Sequence, residues 1–503
     1  MEELDRNVTI GEPLYGRLDI MTSTETITPD NVVDEVNLAL TFHLMNLRAE
    51  EYLYWYRRGL QPILQRTKER NTIVLNKVVT NLASQICDFK NGYFLQEPAK
   101  YIARATEAKS RVDKLNEYVY RSGKHIADNI VADWFHTVGK AALYIEPNDD
   151  TDVPAKVYAL DPRSAFVVYS MRPGKKPVFA VNIVVNDTKA LIDVYTKDNI
   201  FRLSGGASGM KVQGFTTYET TASSVDAVET NMLGHIPIIE YRYNAVNMGA
   251  FESAQSLLDE INNIESNRCD GIEQFIQSIA VAVNCQFDED VTANSIRKAG
   301  MIALRSVGEN KADFRILSEE LDQQQSQTLV DDLYDKAMTI CSMPTSGLQG
   351  RGTYDSTGKA AIFNNGWEQA AASARNTEDL FKESNRLFDE IFTDILRRKG
   401  LLDISLVEFE LNFVRNETAG VQSKAQALQT LLAAGMAPEL AFAKSGISND
   451  PVADVKLSEK YLKMIWGDPD KTDEAEEETN GTGEAEIIES DNNNGENVSG
   501  GSA

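Results

Sequence analysis

The segment Gly352-Thr-Tyr-Asp-Ser-Thr-Gly358-Lys359-Ala360 has the composition of a phosphate-binding loop. Such a loop needs backbone N–H groups around the phosphates, a lysine for their charge and a hydroxyl for magnesium. Here five residues separate the glycines instead of four, and Ala360 stands where the hydroxyl is required. The segment also follows a helical pattern and not a strand, so ATP binding is not expected. Ser204-Gly-Gly-Ala-Ser-Gly209 reads as a strand connection and not as a phosphate cradle. The four histidines, His43, His125, His136 and His235, include no pair four residues apart, so no metalloprotease helix exists. His125 and His136 share roughly one helical face and read as surface and core packing. Cys87, Cys269, Cys285 and Cys341 show no CxxC spacing, which suits scattered buried thiols in a reducing compartment. No nucleophile elbow, Ser/His/Asp set or outstanding carboxylate pair is present. Catalytic residues, a metal site and a cofactor are therefore not expected.

The segment that does invite a function is Met343-Pro-Thr-Ser-Gly-Leu-Gln-Gly-Arg-Gly-Thr-Tyr-Asp-Ser-Thr-Gly358, set between two helical patterns. Gly347, Gly350 and Gly352 let the backbone take φ > 0 almost freely, and Pro344 ends the preceding helix. Long irregular loops inside compact domains are usually functional or disordered. Flanking amphipathic helices imply a scaffold that holds this one.

Those helices belong to a chain of 503 residues with a net charge of −26, 42% hydrophobic and 25% charged. That length suits two to four compact units. The stretch from Asp468 to Ala503 carries twelve acids and one lysine, about −11, and its Asn/Gly/Glu/Ser composition cannot bury enough apolar surface to fold. About −15 remains on the rest. An acidic surface repels phosphates, which argues against ordinary high-affinity DNA binding but not against letting DNA pass. The N-terminus lacks a basic and an apolar region, so no signal peptide is expected. No apolar run approaches the ~18 residues of a membrane span.

Helical spacing covers Asn31 to Gln65, with the aromatic cluster Tyr52, Tyr54, Trp55 and Tyr56. A second helix is expected over Asn71 to Lys90, from Ile73, Val74, Val78, Leu82, Ile86 and Phe89. A further amphipathic stretch runs from Val112 to Phe135. Short β-rich runs follow at 141–147, 156–160, 165–169, 178–185 and 191–195, a sheet unit reaching about Tyr243. From Glu252 a helix carries Leu257, Leu258, Ile261, Ile264 and Ile272 on one face and a wet face of Asp259, Glu260, Asn263, Ser266, Asp270 and Glu273. A small α+β insert at 280–317 precedes an acidic helix, Glu319 to Cys341, whose apolar stripe is thin (Leu321, Leu329, Leu333, Ala337). Residues 359–399 read as one helix of roughly 60 Å, followed by a strand at 405–414 and a helical unit at 417–466. The fold class is α+β, predominantly helical. Acidic helices with so little apolar surface make sense if several copies stand side by side around a hole.

The runs Tyr54-Trp-Tyr-Arg-Arg-Gly-Leu-Gln-Pro-Ile-Leu-Gln-Arg66, Asn71 through Asn76, Asn91-Gly-Tyr-Phe-Leu-Gln-Glu-Pro98, Gly139-Lys-Ala-Ala-Leu-Tyr144 and Gly234-His-Ile-Pro-Ile-Ile-Glu-Tyr241 together resemble portal proteins of long-tailed double-stranded DNA bacteriophages. So does Glu252-Ser-Ala-Gln-Ser-Leu-Leu-Asp-Glu-Ile-Asn, and the order of elements over about 30–466 fits the same family.

The resemblance implies a dodecameric ring at one capsid vertex, built of wing, stem, clip and crown. DNA would be packaged through its channel by a terminase and later ejected. By position, 1–30 is a flexible segment, 31–251 the wing, 252–278 and 319–342 the stem helices, and 279–318 the clip. Then 343–358 is a tunnel loop, 359–416 the long wing helix and strand, 417–466 the crown and 467–503 an acidic tail. Ser346, Gly347, Gln349, Gly350, Arg351, Gly352, Tyr354 and Lys359 would face DNA. Asp259, Glu260, Asp270, Glu273, Asp331, Asp332 and Asp335 would line the channel and keep DNA hydrated. Arg297, Lys298, Arg305, Lys311 and Arg315 would make the clip basic for the terminase large subunit and the head–tail adaptor. Major capsid and scaffolding proteins are the other implied partners, DNA contact would lack sequence specificity, and the location is the virion, with assembly in the host cytoplasm. Another self-assembling virion or scaffold protein without a channel is the alternative, and an enzyme the third.

Overall fold

The computed structural model describes residues 16–68, 74–212, 215–276, 279–283, 285–286, 305–306, 313–317, 323–344, 366–413, 421–448, 454–458 and 461. In chain order the elements begin with β1 (Ile20–Thr22), α1 (Val32–Arg57), α2 (Leu82–Phe94) and β2 (Lys100–Ala103). Helices α3 (Lys109–Arg121) and α4 (Lys124–Val138) lead into eight strands. These are β3 (Lys140–Pro147), β4 (Ala155–Leu160), β5 (Ala165–Ser170), β6 (Pro177–Asn186), β7 (Lys189–Tyr195), β8 (Asn199–Val212), β9 (Phe215–Thr230) and β10 (Ile238–Arg242). Next come α5 (Gln255–Ile276), the short strands β11 (Ile279–Val283), β12 (Cys285–Gln286), β13 (Arg305–Ser306) and β14 (Asp313–Leu317), then α6 (Gln323–Ile340). The last elements before residue 415 are α7 (Trp367–Arg398) and β15 (Phe409–Asn412). A separate unit from 416 onward contains α8 (Val421–Ala433) and α9 (Pro438–Ser445).

Six strands form one sheet in the order β1-β5-β6-β7-β8-β9, antiparallel except for the β1–β5 pair. A three-stranded sheet, β10-β3-β4, and a ribbon of β15 with β2 accompany it. Helix α1 starts at Asn31, whose Oδ1 accepts the Thr28 N–H at 2.8 Å, and Asp34 and Glu35 occupy its first turn, where the helix dipole favours acids. Its first half covers the six-stranded sheet through Val32, Val36 and Leu40, packed with Phe179, Ile192 and Phe201. Its second half turns Leu53 and Tyr56 against Phe251, Leu258 and Met338. Helix α7 buries Phe381, Phe388, Ile391, Phe392 and Ile395 at three- and four-residue spacing, packed with Phe135, Leu143 and Tyr241. Each such side chain removed from water contributes ~1.5–3 kcal/mol.

Several sequence expectations are corrected. The Val112–Phe135 stretch is two helices, because Gly123 at φ +81 separates α3 from α4. Ser204–Gly209 is not a connection; it lies inside β8, paired with β9. The long helix begins at Trp367, after Gly366 at φ +74, so its 32 residues span ~48 Å, shorter than 359–399 implied. The largest correction concerns Asn71–Lys90. Residues 74–80 carry no regular secondary structure and the helix starts only at Leu82.

Candidate channel-facing helices

The backbone N–H groups of residues 74–80 explain that correction. Asn76 N–H donates to Asp270 Oδ1 at 2.7 Å, Val78 N–H to Ser266 Oγ at 2.9 Å and Thr80 N–H to Asn262 Oδ1 at 2.9 Å. Alternate residues of an extended chain repeat every ~6.6 Å, and every fourth residue of a helix repeats every ~6 Å. The strap therefore runs along α5 with its amides in register with Asn262, Ser266 and Asp270. A helix would have used those amides internally; here three side chains of α5 take them. The spacing of small polar residues at 262, 266 and 270 is the signal in the sequence that could have found the strap.

The contact alters the expected wet face of α5. Asn262, Ser266 and Asp270 are buried, at 1%, 0% and 2% exposure. Asp270 also pairs with Arg66 at 3.2 Å and with Lys68. Burial pushes its carboxyl up, but Lys68 and the Asn76 donors outweigh that and hold it below the ordinary range. Asp270 is thus turned into the chain's own packing and leaves the acidic face expected of it. Asp259 is half-buried, accepts the Tyr56 hydroxyl at 2.8 Å and is pushed up to about 6 by burial. Glu260 is exposed; Glu273 is half-buried and accepts the Asn76 side-chain amide at 3.0 Å.

Helix α6 packs along α5. Its buried side is Val330, Ala337 and Met338, whereas Leu329 is 48% exposed, so the stripe sits one residue round from where the leucines placed it. Asp332 and Asp335 are exposed and Asp331 is half-buried. Lys336 pairs with Asp332 at 2.6 Å, and Gln327 donates to Asp331 at 2.7 Å. Glu260, Asp332 and Asp335 thus remain exposed on these two helices, Asp332 with Lys336 as its partner. Between α5 and α6 the chain forms an antiparallel ribbon, β11 with β14, continued by β12 with β13. Arg305 and Arg315 lie on β13 and β14. Arg297, Lys298 and Lys311 fall outside the described residues, as do Ser346, Gly347, Gln349, Gly350, Arg351, Gly352, Tyr354 and Lys359.

Elsewhere, Cys87, Cys341, His43 and His136 are buried. Burial pushes the Cys87 and Cys341 thiols up to about 12, lowers His43 to about 4 and holds His136 well below its ordinary value. His125 stacks on Tyr120, 4.4 Å between centroids, and His235 lies 3.4 Å from Asp394. Among the described residues no group of three or more His, Cys, Asp or Glu could hold a metal ion, and no helix is long and apolar enough to cross a membrane.

A family model described as "Phage portal protein, SPP1 Gp6-like" matches residues 44–493. The chain belongs to the phage portal protein family. That family is structural and non-enzymatic, and its members are components of an oligomeric, capsid-associated assembly. No curated protein matches the chain. In this portal protein α5 and α6 flank the β ribbon along the chain, and most of the glycine-rich segment after Pro344 lies outside the described residues.

Proposed function

We propose that the chain is the subunit of a dodecameric portal ring at one capsid vertex, through which a terminase packages double-stranded DNA and from which the genome later leaves. The reading rests on the family match over residues 44–493, together with exposed carboxylates on two neighbouring helices. Glu260, Asp332 and Asp335 would face the bore, where like charge keeps DNA hydrated and mobile. Each cation placed there would add salt-sensitive affinity for a phosphate and slow the polymer. The segment 343–358 would touch DNA through a few groups such as Arg351, without base readout. The ribbon between α5 and α6, with Arg305 and Arg315 on its strands, would meet the terminase large subunit and then the head–tail adaptor. Major capsid and scaffolding proteins would surround the ring during assembly.

The test of the loop is a packaging assay with 346–352 replaced by a shorter rigid linker. The ring should assemble and package little or no DNA. Packaging at the normal rate would remove this segment from the mechanism.

A further inference from the structure

A cluster of charges lies beneath the N-terminal segment Gly16–Asp19, where α1, β3 and β10 meet. A cavity of about 10 Å³ opens among His43, Asn46, Glu50, Lys140 and Glu240. That is room for one water molecule, which needs two to four polar partners. Two carboxylate oxygens there have no hydrogen-bond donor: Glu50 Oε2 and Glu240 Oε1. Glu50 is 1% and Glu240 7% exposed, and an acceptor buried without a donor is costly.

We propose that this cavity holds one ordered water linking a protonated Glu50 to Glu240, a proton-loaded site that clasps the N-terminal segment to the body of the fold. Glu50 Oε2–H donates to the water, and the water donates to Glu240 Oε1, so both orphaned oxygens gain a partner. Among the described residues, Glu50 is the acid of this cluster with no cation at ion-pair distance. Arg17 pairs with Glu252, and Lys140 with Glu240 at 3.2 Å. Arg163 pairs with Asp161 at 2.6 Å and with Glu51 at 3.2 Å, and Lys175 and Arg242 hold Asp19 at 2.8 and 3.3 Å. Arg242 also stands 3.6 Å from Glu240 Oε1, too far for a hydrogen bond. Burial pushes the Glu50 carboxyl up to about 8; Lys140 and Arg17 pull it down, and Asp161 and Glu240 push it further up. His43, lowered to about 4 by burial, is neutral, donates to the Arg163 carbonyl at 2.9 Å and adds no charge.

Lys140 Nζ also donates to the Leu18 carbonyl at 3.1 Å, while Asn46 bonds the Leu18 N–H and carbonyl at 2.8 and 2.9 Å. Ionising Glu50 would compete for that lysine and loosen the segment. The sign follows from the raised value. The contribution is fully present below the ordinary carboxylate range and is lost as pH rises through about 8.

The test is infrared difference spectroscopy of the full chain between pH 6 and 9.5, with Tm measured in parallel. Wild type should show a protonated-carboxyl band at pH 7 that bleaches with a midpoint near 8, with Tm falling over the same interval. Glu50→Gln, close to isosteric with the acid, should remove the component of that band that bleaches near 8 and the Tm change between pH 7 and 9, leaving only the contribution of Asp389, which burial pushes up to about 7. Glu240→Gln should move the midpoint downward, because Lys140 loses its partner and turns to Glu50. A band at pH 7 unchanged in Glu50→Gln would overturn the proposal. So would a midpoint indifferent to Glu240→Gln. A rise in Tm on adding sodium or potassium at pH 9 would assign the cavity to a monovalent cation instead.

Discussion

Lys124 shows how much of this molecule is settled by single buried charges. It is 2% exposed, donates to both Asp128 oxygens at 2.6 and 2.7 Å, and places its ammonium 4.6 Å from the Phe388 ring centroid and 5.4 Å from that of Phe381. The ammonium is therefore compensated by one carboxylate and by the negative faces of two rings on α7. Burial raises the Asp128 carboxyl, with Lys124 pulling the other way. Removing only the cation should leave an uncompensated buried acid and cost about 3–5 kcal/mol. We expect Lys124→Met to lower stability to chemical denaturation by that amount, and Lys124→Met/Asp128→Leu to recover most of it. A double variant no more stable than the single one would show that the pair is not the unit that matters. The sequence gives no hint of this pairing, since both residues fall within an amphipathic stretch whose charged positions are ordinarily exposed.

At the scale of elements, the strap over 74–80 decides how α5 is held. Val78→Pro removes the N–H that Ser266 accepts and leaves a buried hydroxyl without that donor, a loss of about 1–3 kcal/mol. Amide hydrogen exchange should show protection at Asn76, Val78 and Thr80 in wild type and fast exchange at Asn76 and Thr80 in the variant. Equal, fast exchange at all three in wild type would contradict the strap. Asp270 adds a pH dependence: held below its ordinary range, it contributes stability above that range and loses it as pH falls beneath. The strap was illegible because Ile73, Val74, Val78 and Leu82 recur at helical spacing, while the groups that claim its amides lie some 190 residues along the chain. The strands from β3 to β7 were legible because short alternating runs end at turn residues such as Pro162 and Gly174. Gly139 also falls where a turn is needed. At φ +95 it joins α4 to β3, and a Cβ there would meet the Asn247 carbonyl at 2.0 Å, so Gly139→Ala should fail to give folded protein.

At the scale of the molecule, the order of elements was legible and reaches as far as the family. The candidate site was legible only in part. Asp332, Asp335 and Glu260 are exposed, as the acidic faces of α5 and α6 suggest, whereas Asp270 serves the strap. Polar residues on a helix face read alike whether they meet water or another backbone. If open carboxylates keep DNA mobile, Asp332→Lys/Asp335→Lys should slow translocation at low salt and recover as salt rises, a signature of phosphate contacts. Translocation indifferent to both charge and salt would place these residues away from the bore. The central claim, a closed ring around a conduit, is tested most directly by electron-microscopic imaging of the purified full-length protein combined with its native mass. The account predicts a twelve-fold particle with a central hole; a folded single polypeptide at working concentrations, or sheets and shells without a bore, would contradict it.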